Sequence, residues 1–390
     1  MRRLLRWAAY GIAGVAGIAL LGGLIYREEL SRLSAVNTLF DEGRIVENFS
    51  NMEAAFLTVP VPRGDAPVSA LPVGSPVALP PSVEDWVAAT DVTGLVVLDA
   101  GALVFERAYL GTAPEDLRIS WSIAKSFVSV LLGTSIERGE LALGDPVTRY
   151  APALAGGAYD GLTVHDVVTM QSGVTFDEDY LDPKSDINRM GRIIALGGTM
   201  DGFAAGLTER DRPAGQRWEY VSIDTHVLAL VLRGATGRAL ADLMGERLIA
   251  PLGLEAEPYF LTDGESVAFA LGGLNLTLRD YARFGLMVAR GGRVGDTRIV
   301  SAKWIEESTA PQAATDAGKI QYGYQWWIPW QARAGEVMAR GVYGQWLYID
   351  RQRDVVIVAT GADRGFREDG RYTLGLEVLR SLADAVVAAR

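Results

Sequence analysis

The chain has 390 residues, 49% hydrophobic and 22% charged, which suits one large or two closely joined folded domains rather than long disordered tails. Its net charge of −11 repels phosphate backbones, so no nucleic acid is expected as a partner, and the chain has neither a P-loop nor a dinucleotide fingerprint. With no cysteine, disulfides, thiolate metal sites and a cysteine nucleophile are excluded; with only His165 and His226, so is a histidine-rich zinc site. A carboxylate-only metal site stays open but no motif supports it, and no cofactor is expected.

Residues 7 to 26 carry no charge and follow Arg2, Arg3 and Arg6. At about 1.5 Å per residue such a run reaches roughly 30 Å, the thickness of a bilayer core. The positive-inside rule keeps the arginines in the cytoplasm and sends the remainder across. Residues 1 to 30 are therefore expected to be a single-pass membrane anchor, with a cleaved secretory signal as the alternative; Arg27-Glu28-Glu29 follows without a small-residue cleavage site. Either reading puts the bulk of the chain outside the cytoplasmic membrane.

Residues 41 to 56 space Ile45, Val46, Phe49, Met52 and Phe56 as a short amphipathic helix would. Residues 59 to 82 then hold seven of the 16 prolines, which forbids a helix or central strand and predicts an extended connector packed over a surface. A hairpin follows, with strands at 94–98 and 102–109 around a turn at 99–101. The middle of the chain is mostly helical, with helices predicted at 123–137, 224–234 and 238–250, the last stopped by Gly253. A second hairpin pairs 345–349 with 355–359, and a closing helix at 373–389 presents Leu374, Val378, Leu379, Leu382 and Val386 on one face. Strands thus come from both ends of the chain and helices fill the centre. The expected fold is α+β: an antiparallel sheet flanked by helices, with an inserted, mostly helical lobe at about 138–270, and a cleft between the lobes. Residues 31–90 are expected to pack on a catalytic domain that runs from 91 to 390.

Ser122-Ile-Ala-Lys125 places Ser-x-x-Lys at the mouth of a predicted helix. Residues three apart share a helix face, so the Lys125 amine can reach the Ser122 hydroxyl. Serine is a weak nucleophile until a neighbour takes its proton, and lysine can do so only when burial lowers its pKa. Of the 37 basic residues only Lys125, Lys184, Lys303 and Lys319 are lysines, and arginine cannot serve as a base. One of the four lysines at this point, within an otherwise uncharged run, favours a titrating role over a lysine snorkelling from a core helix. Tyr220-Val-Ser222 just before the next helix has two readings: a phenol and a hydroxyl aimed into a cleft, or a packed ring followed by a helix cap.

Ser122-Ile-Ala-Lys125 and Tyr220-Val-Ser222 occur together with the stretches 162–173, 251–254, 278–285 and 322–327. In their order and spacing they resemble the serine β-lactamase and penicillin-binding-protein superfamily, more closely its class C-related branch of esterases and 6-aminohexanoate-dimer hydrolases. The likeness covers residues 41 to 390. It implies an acyl-enzyme mechanism, with Ser122 as nucleophile and with Lys125 and Tyr220 relaying its proton to the leaving group. Tyr220 would then activate the deacylating water. The family's third motif, commonly Lys-Thr-Gly or His-x-Gly, matches Val342-Tyr343-Gly344. The resemblance implies an oxyanion hole from the Ser122 and Gln345 N–H groups, with Ser222, Val342, Tyr343 and Gly344 lining the substrate site. Val342 carries no charge where penicillin-binding relatives use a cation to hold a substrate carboxylate, which puts β-lactam hydrolysis and cell-wall peptidase activity in doubt; Arg340 is the nearest cation that could stand in.

The resulting expectation is a hydrolase of small esters or amides. The alternatives are a β-lactamase or D,D-peptidase-like enzyme and an envelope-tethered binding protein without the chemistry. Neither histidine is assigned a catalytic role, since no G-x-S-x-G elbow is present. The acidic cluster at 177–179 reads as a solvated loop at the cleft edge from which Tyr180 can close over a substrate. The sequence leaves the oligomeric state open.

Overall fold

A strand covered on both faces reads as an unbroken apolar run rather than an alternating one, and Leu95 to Leu98 and Val355 to Ala359 are such runs. The computed structural model describes Trp7, Tyr10 and residues 27 to 390, and it places both runs at the centre of one sheet. The strands are β1 (Val92–Asp99), β2 (Ala102–Ala108), β3 (Gln321–Tyr322), β4 (Trp327–Ile328), β5 (Glu336–Gly341), β6 (Gln345–Asp350) and β7 (Val355–Gly361). Their order is β2-β1-β7-β6-β5-β4-β3, antiparallel throughout, so the two expected hairpins join where Val97 pairs with Ile357.

Alternate residues of the central strands feed two separate cores. Six helices position the site or support it: α1 (Arg27–Asn37), α2 (Ala124–Glu137), α3 (Asp186–Ala195), α4 (Ser222–Thr236), α5 (Leu278–Ala289) and α6 (Arg371–Ala388). Leu95, Val97, Val355 and Ile357 pack against Leu379 and Leu382 of α6. Val96, Leu98, Val356 and Val358 belong to the opposite core, with Phe284 of α5 and Phe127 of α2. Burying each of these side chains is worth roughly 2 kcal/mol. Helix α2 approaches its neighbours closely at Gly133, where an added Cβ would lie 2.4 Å from the Trp304 indole. A four-stranded sheet, ordered Leu57–Pro60, Tyr259–Thr262, Leu274–Leu276 and Arg118–Ile119, carries the chain into the nucleophile's turn.

The α+β expectation holds, and the departures have local causes. Residues 41 to 56 form no single helix; Ile45–Asn48 and a 3₁₀ turn at Met52–Ala54 are separated by Asn51, although Ile45, Phe49, Met52 and Phe56 are all buried. The proline segment ends earlier than expected, because Pro81 opens a helix at Pro81–Ala89, where its missing N–H costs nothing. Its first residues form an edge strand, Leu57–Pro60, a place where proline is tolerated. Helix α6 turns Leu374 outward, 42% exposed, and Leu376 inward. The 238–250 prediction becomes Leu240–Met244, a π turn at Gly245–Ile249 and a last turn at Ala250–Leu252, ended by Gly253 at φ 62°. Apart from Trp7 and Tyr10, the uncharged run from 7 to 26 lies outside the described residues; among the described residues no helix is long and apolar enough to cross a membrane.

Candidate active site

A 3₁₀ turn, Trp121–Ile123, leads into α2, so Ser122 sits at the helix entrance and Lys125 on the first turn. Lys125 Nζ lies 3.1 Å from Ser122 Oγ and donates to the Leu271 carbonyl at 2.7 Å. The lysine is 1% exposed, and loss of water pulls its pKa down to about 7, although the Glu178 and Asp224 carboxylates oppose the shift. A neutral amine is therefore well populated near neutral pH. Trp121, immediately before the nucleophile, takes φ 41°, a strained value for a bulky residue. Its ring is held against Phe49 at 5.4 Å and Tyr343 at 6.1 Å, and Tyr343 itself takes φ 60°. Aromatic packing over-determines both strained residues.

Tyr220 enters from the chain just before α4. Its ring stacks on Trp327 at 5.0 Å, and Lys125 Nζ lies 5.3 Å from the ring centroid. Burial raises the phenol's pKa and Glu178 adds to this, while the Ser122 hydroxyl and Arg340 pull it back. Tyr220 is thus a protonated phenol at rest. Ser222, the buried first residue of α4, donates its N–H to the Glu178 carboxylate. Burial raises the pKa of Glu178, and Lys125 beside it lowers it. Asp224 is buried below, accepts from the Tyr159 hydroxyl at 2.7 Å, and is pushed up to about 8 by loss of water.

The acidic cluster therefore does not behave as one solvated loop. Burial alternates along the segment, with Asp177 and Asp179 turned outward while Phe176, Glu178 and Tyr180 turn inward. Glu178 was missed by sequence reasoning for that reason; the Phe-x-Glu-x-Tyr alternation was the available signal. Tyr180 stands over the site with its ring edge-to-face on Phe366 at 6.1 Å.

Two cavities meet at Ser122, Tyr180 and Val342. One, of about 240 Å³, also reaches Tyr220, Arg340 and Gly344; the other, of about 450 Å³, reaches Ser222, Tyr343 and the end of α1 at Val36 and Asn37. Lys125 lies behind Ser122 without lining either cavity, and Gln345 lines neither. It opens β6 opposite Gly341, and its buried amide side chain is tied to Gly361, donating at 2.8 Å and accepting at 3.2 Å. The strand end at Gly341 is what abuts the nucleophile's turn, since a Cβ there would lie 2.7 Å from the Ser120 carbonyl oxygen. Val342 follows it into the cavity. Among the described residues neither the Ser122 nor the Val342 N–H has a backbone acceptor. Neither histidine lines the cavities: His226 pairs with Asp201 at 2.9 Å, and His165 packs edge-to-face on Tyr324.

This geometry brings together a serine hydroxyl, an amine of lowered pKa, a protonated phenol and two N–H groups without a backbone acceptor, groups of the kinds that acyl transfer uses. The family model described as Beta-lactamase matches residues 87–379. The chain belongs to the beta-lactamase family. Within it, this beta-lactamase-family chain is a serine hydrolase, 32% identical over 327 residues to the 6-aminohexanoate-dimer hydrolase of Paenarthrobacter ureafaciens, covering 80% of this chain and 83% of that one. Esterase EstB of Burkholderia gladioli is 29% identical over 149 residues, 34% of this chain and 36% of the esterase. A 6-aminohexanoate-dimer hydrolase-like protein from Bacillus anthracis shares the beta-lactamase fold, with a TM-score of 0.76 at 22% identity over 88% of this chain and 95% of that one.

Proposed function

We propose that the protein hydrolyses esters or small amides through an acyl-enzyme on Ser122. The observation that carries this is the 3.1 Å approach of a fully buried Lys125 to the Ser122 hydroxyl, with burial drawing the amine's pKa to about 7. Neutral Lys125 takes the hydroxyl proton as Oγ attacks the carbonyl carbon. Tyr220, a protonated phenol, passes its proton to the leaving atom and is replenished from Lys125. Water then attacks the acyl-serine ester, its proton returning along the same relay. The raised pKa of Tyr220 argues for a relay with Lys125 as the base, rather than for a standing phenolate. The N–H groups of Ser122 and Val342, in place of Gln345, receive the developing oxyanion, an interaction typically worth about 10²–10³ in rate. The names of the hydrolase and esterase relatives support the amide or ester class.

A p-nitrophenyl butyrate assay combined with a fluorophosphonate probe tests the reading. Turnover and labelling of the wild type at Ser122 are expected; unlabelled, folded protein would favour the binding-protein alternative. We also read residues 7 to 26 as an anchor that holds the hydrolase outside the cytoplasmic membrane, on the strength of the uncharged run and its preceding arginines. Fractionation of cells checks this: full-length protein in the soluble cytosolic fraction would remove it.

A further inference from the structure

The larger of the two cavities that meet at Ser122 is the one that the end of α1 helps to wall. Its interior is apolar, with Phe56, Ile194, Leu261, Phe269 and Leu271, and its one charged lining residue, Arg192, is exposed. Tyr220 lines the smaller cavity and not the larger, and its proton must reach the leaving atom, so the acyl chain extends into the larger one. The mouth lies where lining residues also face solvent, at Asn37, Phe40, Leu181, Pro183 and Arg192. Apolar surface continues around it. Leu181 is 71% exposed. Leu30, 53% exposed, lies seven residues before Asn37 on the same face of α1, and Leu196, 57% exposed, lies four residues after Arg192 and continues its face of α3. The two helices pack on each other. Of the nine large apolar side chains well exposed between residues 27 and 390, four (Leu30, Phe40, Leu181 and Leu196) thus belong to α1, α3 or the segments next to them. Exposed apolar residues scattered singly are ordinary, but a group of them around a cavity mouth marks a surface that meets something.

What it meets follows from where α1 begins. The uncharged run ends at Tyr26, and α1 starts at Arg27, the next residue. Its 11 residues, at about 1.5 Å each, put roughly 16 Å between the end of that run and the cavity wall at Asn37. The headgroup layer on each side of a bilayer is about 5–8 Å thick. The tether is thus only a few headgroup layers long, and Leu30 lies between the run and the mouth. We propose that this mouth opens onto the bilayer surface, and that the enzyme takes its substrate, an ester or amide of a long acyl chain, directly from the lipid phase of the membrane that holds it. This rests on the acyl-enzyme and anchor readings above and adds to them the source of the substrate. A chain that passes from lipid into an apolar cavity keeps its methylenes out of water, whereas a chain drawn from a distant membrane must first expose them. In the reaction, Ser122 Oγ forms the ester with the acyl carbon, and the bond from that carbon to the leaving oxygen or nitrogen breaks. The leaving atom takes the Ser122 proton through Lys125 and Tyr220, and water later releases the fatty acid.

The test uses the purified full chain reconstituted in phosphatidylcholine vesicles. p-Nitrophenyl palmitate is supplied either in the same vesicles or in a second vesicle population, and water-soluble p-nitrophenyl butyrate serves as the control. Palmitate turnover is expected to be about 10-fold or more faster in the same vesicles, with the butyrate rate equal in both arrangements. Leu30→Glu combined with Leu196→Glu changes two surface residues that line neither cavity and puts charge on the face that meets lipid. That variant should lose about 10-fold in palmitate turnover within its own vesicles and keep the butyrate rate, which also shows that it folds. Equal palmitate turnover in the two arrangements overturns the proposal, and so does an unchanged palmitate rate in the variant; butyrate hydrolysis then leaves the serine-hydrolase reading standing. If sedimentation shows that the variant turns a dimer into a monomer without slowing palmitate turnover, a second copy of the chain covers this face instead, and the proposal is overturned. Full chain that fails to float with the vesicles removes the anchor reading and the proposal together, whereas folded protein whose Ser122 takes no fluorophosphonate removes the acyl-enzyme reading.

Discussion

Ser122 and Lys125 sit three residues apart at the start of one helix, whereas Glu178 and Tyr180 come to the same site from a segment with no regular structure. The first pair is placed by helical geometry, which any Ser-x-x-Lys at a helix entrance inherits. The second pair is placed by tertiary ties. Asn188 Nδ2 on α3 donates to the Asp179, Tyr180 and Asp182 carbonyls, Asp179 pairs with Arg367 at 3.1 Å, and Glu178 accepts from the Ser222 N–H. The difference separates chemistry from tuning. On the proposed mechanism the helix turn supplies groups that exchange protons or bonds with substrate, and the irregular segment sets their charge and covers the site.

If that division is right, substitutions should rank accordingly. Ser122→Ala should cost the most, on the order of 10⁴-fold or more in kcat on p-nitrophenyl butyrate, since no other group can form the ester. Lys125→Arg should cost nearly as much, about 10³-fold, because a guanidinium keeps the charge and cannot give up its proton. Near-normal rates in that variant would show that Lys125 acts only as a cation and would break the comparison from the helix side. Tyr220→Phe removes the relay and keeps the stack on Trp327, so a loss of about 10²-fold in kcat with little change in KM is expected. A much larger effect on a good leaving group such as p-nitrophenolate would contradict a relay role, since that group needs no proton.

The same division explains what could be read from the sequence. The antiparallel sheet was legible because Leu95 to Leu98 and Val355 to Ala359 are apolar runs bounded by turn residues, and register follows from such patterns. The Ser122–Lys125 contact was legible because helix spacing is fixed. Glu178 was not, because a carboxylate between two aspartates looks solvated until the partner N–H at Ser222 is known to lie across from it. Gln345 was the harder assignment, because hairpin geometry and not motif spacing decides which N–H faces Ser122; here β6 begins one residue beyond the motif and pairs Gln345 with Gly341. Arg340 was noticed only as a neighbour of the motif, since nothing in its own sequence announces the three rings contributed by Trp327, Trp346 and Tyr372.

The smallest change is the most discriminating. Lys125 works as a base only when neutral, so kcat/KM should rise with pH through about 7, the value to which burial draws the amine. The Glu178 carboxylate stabilises the ammonium form and so holds that pKa up against burial. Glu178→Gln keeps an oxygen to accept the Ser222 N–H and removes the charge. The ammonium then loses a stabilising neighbour, its pKa falls, and the ascending limb of the profile should move to lower pH by roughly one unit, with the plateau rate changed several-fold at most. Below the wild-type midpoint the variant would outperform the wild type. A limb that stays in place would mean that the Glu178 charge does not set the Lys125 pKa. A collapse of the plateau to the level of Ser122→Ala would instead put Glu178 among the groups that handle the proton, and the irregular segment would then belong to the chemistry rather than to its tuning.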